Sequence, residues 1–586
     1  MRMLRTVFVL LCWFGFVDWD KQVTAQTVDV ELNWLMLTDP QPVLPPPRNE
    51  FPPQLKSLWL AALQRDDTDL QRQAADTITR AHRLGMADLE ESAETLLVIL
   101  DAEAQHPVVR RAAANALVQL DVSAAAPRFV KYMNSGDVGL SQITEPALAR
   151  WQSDAAQRVW IERIQNTSLS ATKLRLACQC LSAVQCRDAT PQLIELVKSK
   201  DQKSSVRLAA ARALGSLENS GLDAVVEEYT TAGLPPSILD RLAMVSMLKQ
   251  HEGAAAEDLL LKFAVDPEPS VQAIALERLL ELSPERIVPL LEVLMGSADA
   301  KVRQAAAQTL FIAGDMGAVQ RLGLFLDDRH PDVRNMARRM LEKLAQRPEL
   351  EQLVHEQMWK MLQADSWQGL EQAIVLVVTF RKMEAAGRVV DLLDFDRPEV
   401  FITAAWALRE LAWPEVLDGM LAKAETLIEG TFSDSPMDDN MGRQAAYLFE
   451  AFGKMKFTPA EGVMRRCIPK TQRLTDDSRA TAIWALGHLY VDEPSQPFSA
   501  QLIGRITDLD SDNPEALVVQ EMSAVTLGRM NETSSLTSLR EFSSGDSDTE
   551  TGFRYQWAIA KLSGEPMVEP KPVVKIHSNW FIRPID

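Results

Sequence analysis

The sequence predicts an all-α protein, a right-handed α-α superhelix of about fifteen stacked helical hairpins. Three observations carry this reading. A short phrase recurs roughly every 31 to 40 residues, its apolar positions keep helical spacing, and prolines mark where many second helices begin. The phrase is an aliphatic residue, often followed by Arg, then a small residue four on and a small–large apolar pair. It reads Val109-Arg110…Ala113…Ala116-Leu117, Val206-Arg207…Ala210…Ala213-Leu214 and Val302-Arg303…Ala306…Thr309-Leu310. Val333-Arg334…Ala337…Met340-Leu341 and Val400…Ala404…Ala407-Leu408 continue it. Offsets 0, +4, +7 and +8 share one helix face, so small residues admit the neighbouring helix and large ones fill the layer between hairpins.

In chain order, residues 1–25 read as an export signal. Arg2 and Arg5 precede the apolar run Thr6–Val17, and Val23-Thr24-Ala25 offers a cleavage site before Gln26. That run is too short to cross a bilayer, which takes ~20 apolar residues, and no later segment is long enough; the expected location is periplasmic or extracellular. Residues 26–52 carry Pro40, Pro42, Pro45, Pro46, Pro47 and Pro52, and are expected to form an extended strap. Residues 53–564 form the solenoid, beginning with Pro53–Arg65 and Thr68–Arg83 and ending near Leu562. Further anchors fall at Leu70, Ile143, Leu174, Leu239, Val271, Leu370, Met441, Ser478 and Val519. His106-Pro107, Asp266-Pro267, His330-Pro331, Arg397-Pro398 and Asn513-Pro514 place Pro in a first turn, where its missing N–H costs nothing. Residues 565–586 form a tail whose run Val573–Ile582 suits a strand, expected to cap the last hairpin or to be offered to a partner.

The net charge of −20 argues against a nucleic-acid partner and favours a protein or peptide ligand, a basic one by charge complementarity. Cys178, Cys180, Cys186 and Cys467 are too few for a disulfide framework; pairing of Cys180 with Cys186 stays open. Eight tryptophans, Trp151, Trp160, Trp359, Trp367, Trp406, Trp413, Trp484 and Trp557, are the best hint of a contact surface. Trp406 and Trp484 stand beside core slots and are expected to be buried.

The recurring phrase resembles the HEAT repeat family over residues 53–564, most sharply at Gln105–Leu120, Ser204–Leu217, Ala300–Ala313 and His330–Leu344. The resemblance implies a ladder in which an Asp six residues before the Arg links repeats. Asp201/Arg207 and Asp328/Arg334 have that spacing, while Arg110, Arg175, Arg303 and Arg479 do not. One HEAT-like enzyme class, deoxyhypusine hydroxylase, holds two irons with four His-Glu pairs. Only His251-Glu252 and His355-Glu356 occur, and both are read as solvated helix ends. Asp508-x-Asp510-x-Asp512 opens like a calcium loop but lacks its Gly and bidentate Glu; Asn513, Pro514 and Glu515 read instead as a helix start. Asp546-x-Asp548-x-Glu550 and the acidic stretch Asp434–Asn440 read as solvated loops. No nucleophile elbow, phosphate loop or zinc-protease helix occurs, so no catalytic, cofactor or metal residue is expected.

The expected function is a non-catalytic protein-interaction scaffold of the cell envelope, binding its ligand along the concave face. Two alternatives are a structural part of a larger envelope assembly and a HEAT-like lyase or metal-dependent hydroxylase.

Overall fold

The computed structural model describes residues 33–102, 104–166, 168–231, 235–510, 512–543, 549–567 and 569–577. The export signal, Asp546, Asp548 and the tail beyond residue 577 lie outside the described residues. Those described hold 31 α-helices and two three-residue strands. One helix is the single turn Leu35–Thr38. The other thirty pair into fifteen hairpins, from Gln54–Leu63 with Thr68–Arg83 to Leu536–Phe542 with Glu550–Ser563. None of these helices is long and apolar enough to cross a membrane.

The chain packs as two compact units. Among described residues, the first contains 43–321, 549–553 and 569–577; the second contains 33–42, 322–543 and 554–567.

The repeat phrase works as packing chemistry in both. Val109, Val206 and Val302 in the first unit, and Val333 and Val400 in the second, are fully buried, as are the alanines four residues on. Where an Arg follows the anchor, it donates to a main-chain carbonyl in the preceding helix end or turn. Arg110 donates to Ala102 O at 2.9 Å and Arg207 to Gln202 O at 2.8 Å. Arg303 donates to Ser297 O at 2.9 Å, and Arg334 to Asp328 O at 3.0 Å.

Arg207 extends its other donors to Asp240 at 2.5 Å, on the next second helix, and Arg334 to Glu371 at 3.4 Å. Arg241 donates to Asp266, in the turn of the next hairpin, at 2.8 Å. Arg479, which has no Asp at the expected offset, is held at both ends by buried Glu515, at 2.8 and 2.9 Å.

Several registers shift for packing reasons. In helix Val138–Arg150 the buried anchor is Leu140, with Thr144, Ala147 and Leu148 behind it, not Ile143. In Asp439–Lys454 it is Gln444, while Met441 is exposed. Leu239 is exposed and Asp240 takes its slot, which puts Arg241 in the Arg position. Leu70 is exposed because its hairpin is the first of the series.

His106 and His330 do precede a first-turn Pro, each accepting a main-chain N–H through Nδ1. Asp266-Pro267 lies before its helix, which opens at Pro269. Asn513 caps nothing: that helix starts at Leu517, after Ala516, because Glu515 is drawn inward by Arg479 and Arg505. His251 and His355 are buried, not solvated. His251 Nε2 accepts from Leu222 N at 3.0 Å, and His355 packs edge-on to Phe380. The four described cysteines are free and buried.

The described part of the tail, which ends at residue 577, forms a strand. Val574–Ile576 (β2) pairs in parallel with Arg48–Glu50 (β1), in register Arg48 with Val574, in the first unit. In the described part of the strap, the helical turn Leu35–Thr38 interrupts the extended chain, and β1 is part of its extended stretch.

Candidate functional site

The site lies in the second unit, on five successive second helices: Pro398–Leu411, Asp439–Lys454, Asp476–Leu489, Leu517–Arg529 and Glu550–Ser563. Small residues set their close approach. A Cβ on Gly453 would stand 2.8 Å from Ala485 Cα, one on Gly487 2.7 Å from Thr526 Oγ1, and one on Gly528 3.0 Å from Ala558 Cα. Asp438 and Thr475 cap two of the helices by accepting from Met441 N and Ser478 N. With these helices clamped together, residues three, six and ten after an anchor share a stripe flanking the core face. That stripe carries Tyr447 and Glu450 on one helix, Thr481, Trp484 and His488 on the next, and Arg529 on the third.

Across this surface lies the chain's own segment Asn33–Asp39. Arg409 donates to Asn33 O at 2.7 Å, and its guanidinium stands over the Tyr447 ring at 4.7 Å. Trp34 stacks on the Tyr447 ring itself, with centroids 5.5 Å apart and planes 12° from parallel. Met36 is 1 % exposed; its N–H donates to Glu450 Oε1 at 3.1 Å and its sulfur accepts from Thr481 at 3.1 Å. Arg554 donates to Leu37 O at 2.9 Å. Asp39 ends the run: Trp484 Nε1 and Arg529 Nη2 donate to its carbonyl at 3.2 and 2.9 Å. Its carboxylate lies 2.6 Å from Arg529 and 3.0 Å from His488.

The electrostatics follow from burial. Glu450, fully buried against Arg409, has its carboxyl pushed up by desolvation, against the pull of that guanidinium. Burial also raises the Tyr447 phenol, to about 12. Asp39 goes the other way: partial burial opposes its charge, but the His488 hydrogen bond and the Arg529 charge hold its carboxyl below the usual range. The charges that meet the segment are thus arginines with their own acidic partners, Arg409 with Glu410 and Glu450, and Arg554 with Glu521.

A hollow of about 400 Å³ opens on the same unit, where Arg338, Glu371, Gln372, Glu399, Thr403 and Arg443 meet. Among the described residues no three His, Cys, Asp or Glu side chains converge as a metal site.

Of the tryptophans singled out by sequence, Trp160, Trp406 and Trp413 are buried, and Trp484 is buried beneath the segment with its N–H turned to Asp39. The arginines and His488 carry no motif. Their signal is the recurrence of polar side chains on the stripe beside the core, in repeats whose core is otherwise unbroken.

Stacked helical hairpins with a segment of chain held across their second helices define an all-α solenoid. Residues 236–354 match the family of HEAT repeats, and that stretch of the chain is similar to it. The fold is similar to that of Kap95p (yeast importin-beta), whose binding switches the loops of RanGDP to the GTP-bound conformation. The two are 15 % identical over 87 % of this chain and 72 % of that one, with TM-score 0.51. Kap95 in its complex with Nup1 gives 13 %, 87 %, 72 % and 0.50. Kap121p bound to Pho4p gives 12 % identity and TM-score 0.50, over 87 % of this chain and 57 % of that chain. No protein of curated function matches the sequence.

Proposed function

We propose that this chain is a non-catalytic protein-binding scaffold of the cell envelope, and that its second-helix face, the concave face expected of such a solenoid, holds a peptide segment of its partner. One observation supports this above the others. The groove grips main chain, through side-chain donors to the carbonyls of Asn33, Leu37 and Asp39 and a carboxylate acceptor for Met36 N–H. Contacts of that kind fit any extended segment, and side-chain pockets between them supply specificity. The solenoids of similar fold bind proteins too: Kap95p binds RanGDP and Nup1, and Kap121p binds Pho4p. The charged, apolar and small-residue series of residues 2–25 supports the envelope location.

Site-specific photo-crosslinking tests the reading. A benzophenone side chain placed at Arg443, on a second helix, should trap a partner in the envelope fraction, and one at Glu425, on the first helix Leu417–Ser433, should not. Equal trapping from both positions, or trapping from Glu425 alone, contradicts the assignment of the face.

A further inference from the structure

The segment that fills the groove shows what the groove reads. We propose that Asn33–Asp39 is an intramolecular ligand standing in for a partner segment with an aromatic residue, a buried apolar residue two positions on and an Asp three further, as in Trp34, Met36 and Asp39. This rests on the scaffold reading above and names the ligand chemistry of its site.

Three features assign that chemistry. The aromatic position is set by the Tyr447 ring, already backed by the Arg409 guanidinium. The apolar position is set by the slot that buries Met36 against Thr481. The acidic position is set by Arg529 and His488, which converge on one carboxylate oxygen. A basic residue at that last position would face a buried guanidinium and be rejected.

A separate observation marks the segment as an incomplete occupant. Arg409 Nε, Tyr447 Oη and Arg529 Nη1 are buried along the groove without a hydrogen-bond partner among the described residues. Buried donors left unpaired are costly, so a ligand bringing acceptors to them gains what the cis segment does not provide. The cis segment compensates by its tether, which gives a short linked peptide a high effective concentration. The arrangement therefore sets a threshold: a partner segment must bind better than the tethered one to displace it.

The test uses the full chain carrying Trp34→Ala and Asp39→Ala, and a fluorescein-labelled peptide of the sequence 31–42. Anisotropy should show the peptide binding the double variant at least 10-fold more tightly than the wild-type chain. Changing the peptide's Asp to Lys should abolish the binding. Circular dichroism and thermal melting establish that the variant is folded; the single variant Asp39→Asn, which keeps the side-chain shape, serves if it is not. A folded variant that fails to take up the peptide overturns the proposal, because the segment is then only part of the core. Light scattering that finds a wild-type dimer lost in the variant also overturns it, assigning the groove to a second copy. The scaffold reading fails separately, when no partner is trapped from Arg443, whatever the peptide does.

Discussion

Replacing Met36 with Ala separates a docked segment from a piece of core. The side chain is 1 % exposed, and truncation removes three heavy atoms from its slot beside Thr481. At about 0.8 kcal/mol per buried methylene, the loss is roughly 2 kcal/mol, and a cavity that does not collapse adds to it. If the segment undocks by itself, all of that falls on one local equilibrium, and about 2 kcal/mol raises the undocked population roughly 30-fold. Hydrogen–deuterium exchange read by mass spectrometry over residues 33–42 should then accelerate by that factor. Protection in Asp476–Leu489 and Leu517–Arg529 should stay as it was, with the melting temperature little changed. The reasoning is refuted if exchange in 33–42 is unchanged, or if it rises only in step with those helices, since the segment would then open only when the unit unfolds.

Other consequences concern the frame and its response to pH. Arg479→Ala leaves the buried Glu515 carboxylate with Arg505 as its remaining guanidinium partner and should cost about 2–3 kcal/mol, read as a fall in melting temperature, below the roughly 3–5 kcal/mol of a fully stranded buried charge; a loss comparable to that of an exposed pair contradicts the buried-pair account. Gly487→Ala drives a Cβ into Thr526 and should cost roughly 1–3 kcal/mol, part of which Thr526→Ser restores; a variant that melts like wild type contradicts the close packing. His251 and His355 are both held below the ordinary imidazole value by burial. Their contribution is complete above about pH 6.5 and is lost as pH falls below it towards the folded values, because the unfolded chain then binds the extra protons. Melting temperature should therefore fall between pH 7.5 and 5.5, less steeply in His355→Phe, and a slope that this variant leaves unchanged removes His355 from the cause. Asp39, whose carboxyl is held low, supports docking above the ordinary carboxylate range and loses that support as pH falls through its lowered value; exchange over 33–42 should quicken there, and less so in Asp39→Asn.

The architecture was legible because its determinant is local and repeated. Val109, Val206, Val302, Val333 and Val400 with their +4 alanines state the packing rule in each hairpin, and those anchors are fully buried. Register failed where the rule has a three-residue ambiguity, at Ile143 and Met441, since a helix repeats its face at three and four residues alike. The Ala-Leu-Gly ending at Gly215 and Gly487, with Thr-Leu-Gly at Gly528 and Ala-Phe-Gly at Gly453, would have fixed the second of these registers. The groove was not legible, because it joins Asn33–Asp39 to residues some four hundred positions away, and nothing local in either stretch points to the other. The strap's prolines suggested an extended segment, but not where it lies. His251 and His355 were misplaced because a histidine next to Glu looks solvated in sequence, while a single acceptor such as His251 Nε2, meeting Leu222 N, is enough to bury it.

The central claim is that a partner is held on the second-helix face of the second unit. Its most direct test is the affinity of the trapped partner for two charge reversals in the full chain. Arg529→Glu alters the groove, and Lys423→Glu alters the first helix Leu417–Ser433. Groove recognition of an acidic position predicts at least a 10-fold loss of affinity for Arg529→Glu and no change for Lys423→Glu. Equal affinity for both variants, or a loss confined to Lys423→Glu, would contradict it.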